Sequence, residues 1–158
     1  MVEADAFEGL PALNEIDLSD NKITTLNNAL GNLPTYLKKI DLSKNDLTSL
    51  GNVSGNLTYL NKINLKENEK FTSVNKDFLT LFNKINKYEY GYGYPSGDHF
   101  QIDMNGIRLN CGCDIRWLLE NEGKIDYFAS GARCTSGLLL KDVSMIQVHM
   151  INSNIFFI

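Results

Sequence analysis

The chain has 158 residues, a net charge of -4 and a pI near 5.1, which argues against a nucleic-acid partner, since such binding usually needs a clustered basic face. At 43% hydrophobic and 22% charged it has the make-up of a globular domain with chain enough for a core. No run approaches the roughly 18 consecutive apolar residues of a membrane span, so no membrane insertion is expected within this chain.

In chain order, Met1-Val2-Glu3-Ala4-Asp5-Ala6 lacks the basic start and apolar core of a signal peptide. One pattern then occurs three times. The first copy is Leu13, Ile16, Leu18, Asn21, Ile23 and Leu26. The second, 24 residues on, is Leu37, Ile40, Leu42, Asn45, Leu47 and Leu50. The third, a further 23 residues on, is Leu60, Ile63, Leu65, Asn68, Phe71 and Val74. Inside each copy apolar and polar residues alternate, the period of a strand, so Ile16, Leu18 and their counterparts point inward. Strands repeated at this interval stack in parallel, because the intervening chain supplies the crossover of a dozen or more residues that parallel pairing requires.

The spacing L-x-x-L-x-L-x-x-N with a period in the twenties resembles the leucine-rich repeat. Asn21, Asn45 and Asn68 stand where the chain turns off each strand. Their amides are expected to form a structural ladder, donating to and accepting from turn backbone that would otherwise be unpaired. Ala6-Phe7-Glu8-Gly9-Leu10 resembles the tail of an earlier repeat, with no N-terminal cap before it. A repeat array leaves its first apolar layer open unless a polar or covering element shields it. We therefore expect an array that begins further upstream.

After Val74 the pattern decays. Phe82–Lys87 retains an apolar pair, with Tyr90 at the ladder position, and is expected to form a degenerate fourth copy. Tyr88–Asp98 is dense in Tyr, Gly and Pro and reads as an inserted surface loop. His99–Met104 alternates again and is expected to be the last strand.

From Asn105 the sequence runs through Cys111-Gly112-Cys113 and Asp114-Ile115-Arg116-Trp117-Leu118-Leu119, with Cys134 further on. Asp114 suits an N-cap and Gly123 a C′ position for the helix between them. The stretch resembles the cysteine-rich C-terminal flanking domain of extracellular leucine-rich repeat proteins. That resemblance implies a disulfide between Cys111 and Cys134, and leaves Cys113 unpaired for want of a fourth cysteine. It also implies a secreted protein or an ectodomain, since disulfides persist outside the reducing cytosol. Gly106 in place of a proline, and about two extra residues before Cys111, depart from the family pattern. The odd cysteine count makes a truncated or altered C-terminal end the expectation. Asn52-Val53-Ser54 and Asn56-Leu57-Thr58 make Asn52 and Asn56 candidate glycosylation sites, although an Asn-rich chain forms such triplets by chance.

Together these readings predict an α/β fold: a leucine-rich repeat solenoid with short parallel strands on the concave face and a small helical C-terminal cap. Residues 1–87 hold the repeats, 88–104 the Tyr/Gly-rich insertion and last strand, and 105–158 the cap. No nucleophile motif, phosphate loop or zinc-finger spacing involving His99 or His149 is present, so no catalysis, cofactor or metal is expected. What remains is binding. The candidate partner face consists of three columns of outward strand residues: Glu15, Lys39 and Lys62; Asp17, Asp41 and Asn64; Ser19, Ser43 and Lys66. Glu15 and Lys39 are expected to pair across strands. Asp17 beside Asp41 is mildly repulsive and is expected to await a basic partner group. The expected partner is a protein ligand or receptor. The repeats-plus-cap organisation also resembles arthropod proteins similar to the non-catalytic subunit of a shrimp luciferase, which implies an accessory subunit without an active site. A truncated fragment without independent function is the third reading.

Overall fold

The computed structural model describes residues 2–55, 57–74, 80–81, 100–112, 115–120 and 125–143. Each repeat contributes one three-residue strand: β1 (Glu15–Asp17), β2 (Lys39–Asp41) and β3 (Lys62–Asn64). A fourth, β4 (Gln101–Asp103), completes a parallel sheet in the order β1-β2-β3-β4. The register aligns equivalent positions: Ile16 lies beside Ile40, Ile40 beside Ile63, and Ile63 beside Ile102. These isoleucines are all buried, while most of the flanking strand residues are exposed or half-buried, as alternation along a one-sided sheet requires.

The strand paired with β3 is Gln101–Asp103, 39 residues later and within the last strand expected at His99–Met104; the degenerate fourth copy is expected before it, at Phe82–Lys87. That stretch and the Tyr/Gly-rich loop Tyr88–Asp98 lie outside the described residues.

Immediately beyond each strand the backbone reverses through a residue at positive φ: Asp20 (55°), Lys44 (54°), Glu67 (57°) and Gly106 (85°). This left-handed conformation costs a side-chain-bearing residue about 1–2 kcal/mol, and only the fourth copy answers it with glycine. Gly106, which departs from the family pattern, thus meets the conformational demand of its turn.

The three asparagines behave unequally. The Asn45 amide oxygen accepts the Ile23 N–H at 2.9 Å, and its NH2 donates to the Leu18 and Leu42 carbonyls at 2.9 and 3.1 Å. Asn68 repeats this one layer on, accepting from Leu47 N–H at 3.0 Å and donating to Leu42 and Leu65 at 2.9 Å each. Both therefore sew their own turn to the preceding one. Asn21 is exposed and donates only within its own turn, to the Leu18 and Ser19 carbonyls. In the fourth copy Ile107 follows the left-handed residue and is buried instead.

Apolar positions of all copies join one core, but its layers are sealed to different degrees. Leu13 and Leu18 are half-buried, whereas their equivalents Leu37 and Leu42, and Leu60 and Leu65, are buried.

Past β4, two short strands, β5 (Arg108–Leu109) and β6 (Arg133–Cys134), pair in parallel. Between them lie α1 (Arg116–Leu119) and α2 (Ile125–Phe128). Cys111 and Cys134 are joined by a disulfide, with their Cα atoms 5.5 Å apart, and both cysteines are buried. Helix α2 packs on β4. Ser130 continues the sheet beyond it: its carbonyl accepts Met104 N–H at 2.7 Å and its N–H donates to Ile102 at 3.1 Å. Leu118 and Leu119 are buried, and Trp117 is half-buried against the same core. The N-cap of α1 is Ile115, without a side-chain capping bond, and its C-cap is Glu120. Asp114, Gly123 and Cys113 lie outside the described residues.

Candidate binding face

The nine residues picked out as a partner face lie together on or just after β1–β3. The register places Glu15 beside Lys39 and Lys39 beside Lys62, then Asp17 beside Asp41 and Asp41 beside Asn64. Six of them, the first two columns, border a shallow depression of about 240 Å³ centred on β2. The sheet also brings in residues that sequence reasoning missed. Gln101 and Asp103 extend the first two columns through their register with β3, and Asn105 follows on the same strand end. The strand expected at His99–Met104 was not carried into the columns, so its outward residues were left out.

Much of the face is already engaged internally. Glu15 pairs with Lys39 at 3.1 Å, both side chains more than half exposed, so the pair contributes at most about 1 kcal/mol. Lys66 pairs with the nearly buried carboxylate of Asp103 at 3.2 Å. The second column proves to be a set of turns. Asp17 Oδ1 accepts the Ser19 N–H and hydroxyl at 2.9 and 2.7 Å, and Asp41 Oδ1 accepts those of Ser43 at 2.9 and 2.6 Å. Asn64 Oδ1 accepts Lys66 N–H at 3.2 Å, and Asp103 Oδ1 accepts Asn105 N–H at 3.3 Å. An Asx side chain receiving the N–H two residues on ends a strand and starts a turn. The sequence carries this signal as Asp-Leu-Ser twice, then Asn-Leu-Lys and Asp-Met-Asn.

The repulsion between Asp17 and Asp41 is met inside the chain. The Ser19 hydroxyl and N–H hold the Asp17 carboxyl below the usual carboxylate range, outweighing the neighbouring Asp41 charge. For Asp41, burial opposes ionisation, but Ser43, the Asn64 amide at 2.9 Å and the Lys62 charge more than offset it, so its carboxyl too lies low. A carboxylate held this low is a weak base, so these Ser–Asp pairs are suited to ending turns and poorly suited to activating a nucleophile. Lys62 makes no ion pair with any described residue; apart from its support of the Asp41 charge, it is the cation this face leaves open. Among the described residues, no three His, Cys, Asp or Glu side chains gather in a way that would hold a metal ion.

Asn52 is exposed on the crossover side; its amide lies 3.5 Å from the Asn28 carboxamide oxygen, and the Ser54 hydroxyl donates to the Gly31 carbonyl. Asn56, His99 and His149 lie outside the described residues.

The leucine rich repeat family model matches residues 1–35. That span covers the first copy and the approach to the second. No curated protein and no solved structure matches the chain. The chain thus carries a leucine-rich repeat, a module generally used for protein interaction and generally non-catalytic. Its four-stranded parallel sheet with few helices is compatible with an α/β repeat fold. No helix among the described residues is long and apolar enough to cross a membrane.

Proposed function

We propose that the chain is a protein-binding module of a secreted or cell-surface protein. In this reading the repeats form a solenoid, the face of β1–β4 is its concave side, and residues 105–143 are a helical, disulfide-held cap. The partner is a protein ligand or receptor contacted through that face. The observation that carries the reading is the pairing of a one-sided parallel sheet, whose polar columns surround an open depression, with the Cys111–Cys134 bridge at the sheet's far end. A disulfide in this place fits an oxidising compartment.

The test begins with the chain expressed through a secretory route and screened against a display library of ectodomains. Any partner found is then titrated against Lys62→Glu, which reverses the open cation on the face, and against Lys38→Glu, an exposed site just outside the strand. The reading requires at least ~10-fold weaker binding for Lys62→Glu alone, the size expected when a charge directly opposes a partner group. Equal effects from the two variants would show that the face is not the contact surface.

A further inference from the structure

Asparagine side chains meet two fates in this fold. Asn45 and Asn68 are buried, and the NH2 of each donates to carbonyls of two turns, so the fold consumes it. Asn52 is exposed. Among the described residues its amide nitrogen has one contact, a 3.5 Å approach to the Asn28 side-chain oxygen, at the outer limit of a hydrogen bond. It heads the triplet Asn52-Val53-Ser54, the acceptor pattern for an N-linked sugar.

The turn around Asn52 holds that side chain outward. Gly51 and Gly55, at φ 71° and 109°, bracket the triplet. Val53 is 1% exposed and anchors the turn in the core. Ser54 is stitched to the preceding crossover: its N–H donates to the Leu30 carbonyl at 2.9 Å, its carbonyl accepts the Leu33 N–H at 3.0 Å, and its hydroxyl donates to the Gly31 carbonyl. The two crossovers meet so closely that a Cβ on Gly55 would lie 2.6 Å from the Leu33 oxygen. With Val53 turned in and Ser54 tied down, Asn52 is presented to solvent on the crossover side. The turn lies between β2 and β3 in the chain, so its exposure does not depend on where the array begins.

We propose that Asn52 carries an N-linked glycan, which shields the crossover side and leaves the strand face accessible. This rests on the secretory reading above, and not on the identity of the partner. In the transfer, Asn52 Nδ2 displaces a polyprenyl diphosphate from the anomeric carbon of a lipid-linked oligosaccharide. The C–N bond forms, the sugar's C–O bond to the diphosphate breaks, the diphosphate leaves with the electron pair, and the amide loses one proton. The acceptor triplet requires the Ser54 hydroxyl, which the folded chain commits to Gly31, so transfer precedes closure of this turn. Closure then leaves the glycan outside the core.

For the test, the full chain is directed into the secretory lumen of a eukaryotic cell as an Asn56→Gln variant, so that Asn52-Val53-Ser54 is its only acceptor triplet. Protein from the lumen and the medium is digested with peptide-N-glycosidase in heavy-oxygen water, and mass spectrometry looks for Asn52 converted to a labelled Asp. The proposal requires that label on most of the released chain and a loss of one glycan's mass on digestion. Both must vanish in Ser54→Ala and persist in Ser54→Thr, which keeps the triplet. With Asn52→Gln added, Lys70→Thr creates a triplet at the buried Asn68. Chains glycosylated there must be held back from the medium, because the amide nitrogen that bonds Leu42 and Leu65 is taken. Unlabelled Asn52 in the lumenal or released chain would overturn the proposal. Equal release of chains glycosylated at Asn52 and at Asn68 would overturn it too, since the fold would then place no limit on where a glycan sits. A chain labelled at Asn52 but never released, with Cys111 and Cys134 reduced, would instead overturn the secretory reading, and with it the setting in which Asn52 is modified.

Discussion

The first and third copies carry the same six-position pattern, yet one is half-open and the other sealed. Leu65 and Asn68 are 0% exposed, while Leu18 is half-buried and Asn21 exposed. The difference comes from neighbours. Each layer of a stacked array is buried by its neighbours on both sides, and among the described residues β1 has a neighbouring strand on one side only, with Val2 and Phe7 of the preceding segment packed against the core. A motif residue therefore has no fixed energetic value; its place in the stack sets it.

Truncation in the core gives the largest expected break in this comparison. Leu42 lies between the equivalent Leu18 and Leu65 and is 0% exposed. Leu42→Ala is expected to destabilise by about 3–4 kcal/mol, since burial is lost and a cavity remains. Leu18→Ala should cost less than half of that, because solvent already reaches the site and the space can collapse. Urea unfolding of both variants measures the ratio. Equal losses would mean that the first layer is as well packed as the second.

The ladder offers a sharper contrast at similar size. Asn68→Ala leaves the Leu47 N–H and the Leu42 and Leu65 carbonyls without their side-chain partner in a buried site, and is expected to cost about 3 kcal/mol. Asn21→Ala removes bonds to two carbonyls at an exposed turn and should cost no more than about 1 kcal/mol. Thermal unfolding midpoints should separate the two variants by several degrees. A matching shift would show that the cross-turn bonds contribute little.

These contrasts mark what the sequence could and could not reveal. Strand positions and register were legible because Leu, Ile and Asn recur at fixed offsets, and three copies constrain one another. The fourth strand, Gln101–Asp103, was legible by its alternation within His99–Met104, but its register with β3 was not, because it lies 39 residues away and Ile107 replaces the ladder Asn. The candidate face was legible as columns, since alternation decides which side chains point outward. Its internal economy was not. That Asp17 and Asp41 spend their oxygens on Ser19, Ser43 and Asn64 depends on side-chain geometry at the strand ends. Alternation says nothing about that geometry, although the recurring Asp-Leu-Ser was there to be read.

The smallest expected effect compares those two aspartates. Both have their carboxyls held below the usual range in the folded chain, so the unfolded chain takes up protons first as pH falls. The stability they contribute is therefore present above the ordinary carboxyl value and is lost as pH falls through their lower folded values. Asn at either position keeps the turn-forming oxygen and removes the titration. Asp41→Asn should thus flatten the fall in unfolding midpoint between about pH 4 and pH 2. At Asp41 burial, the largest cause, raises the carboxyl, but Ser43, the Asn64 bond and the Lys62 charge work against it; Asp17 lacks the last two, and Asp17→Asn is expected to flatten it less. A larger flattening at Asp17 would mean that the open end of the sheet holds its charge more firmly than the layer inside it. That would reverse the gradient from open to sealed that the Leu13 and Leu18 positions display.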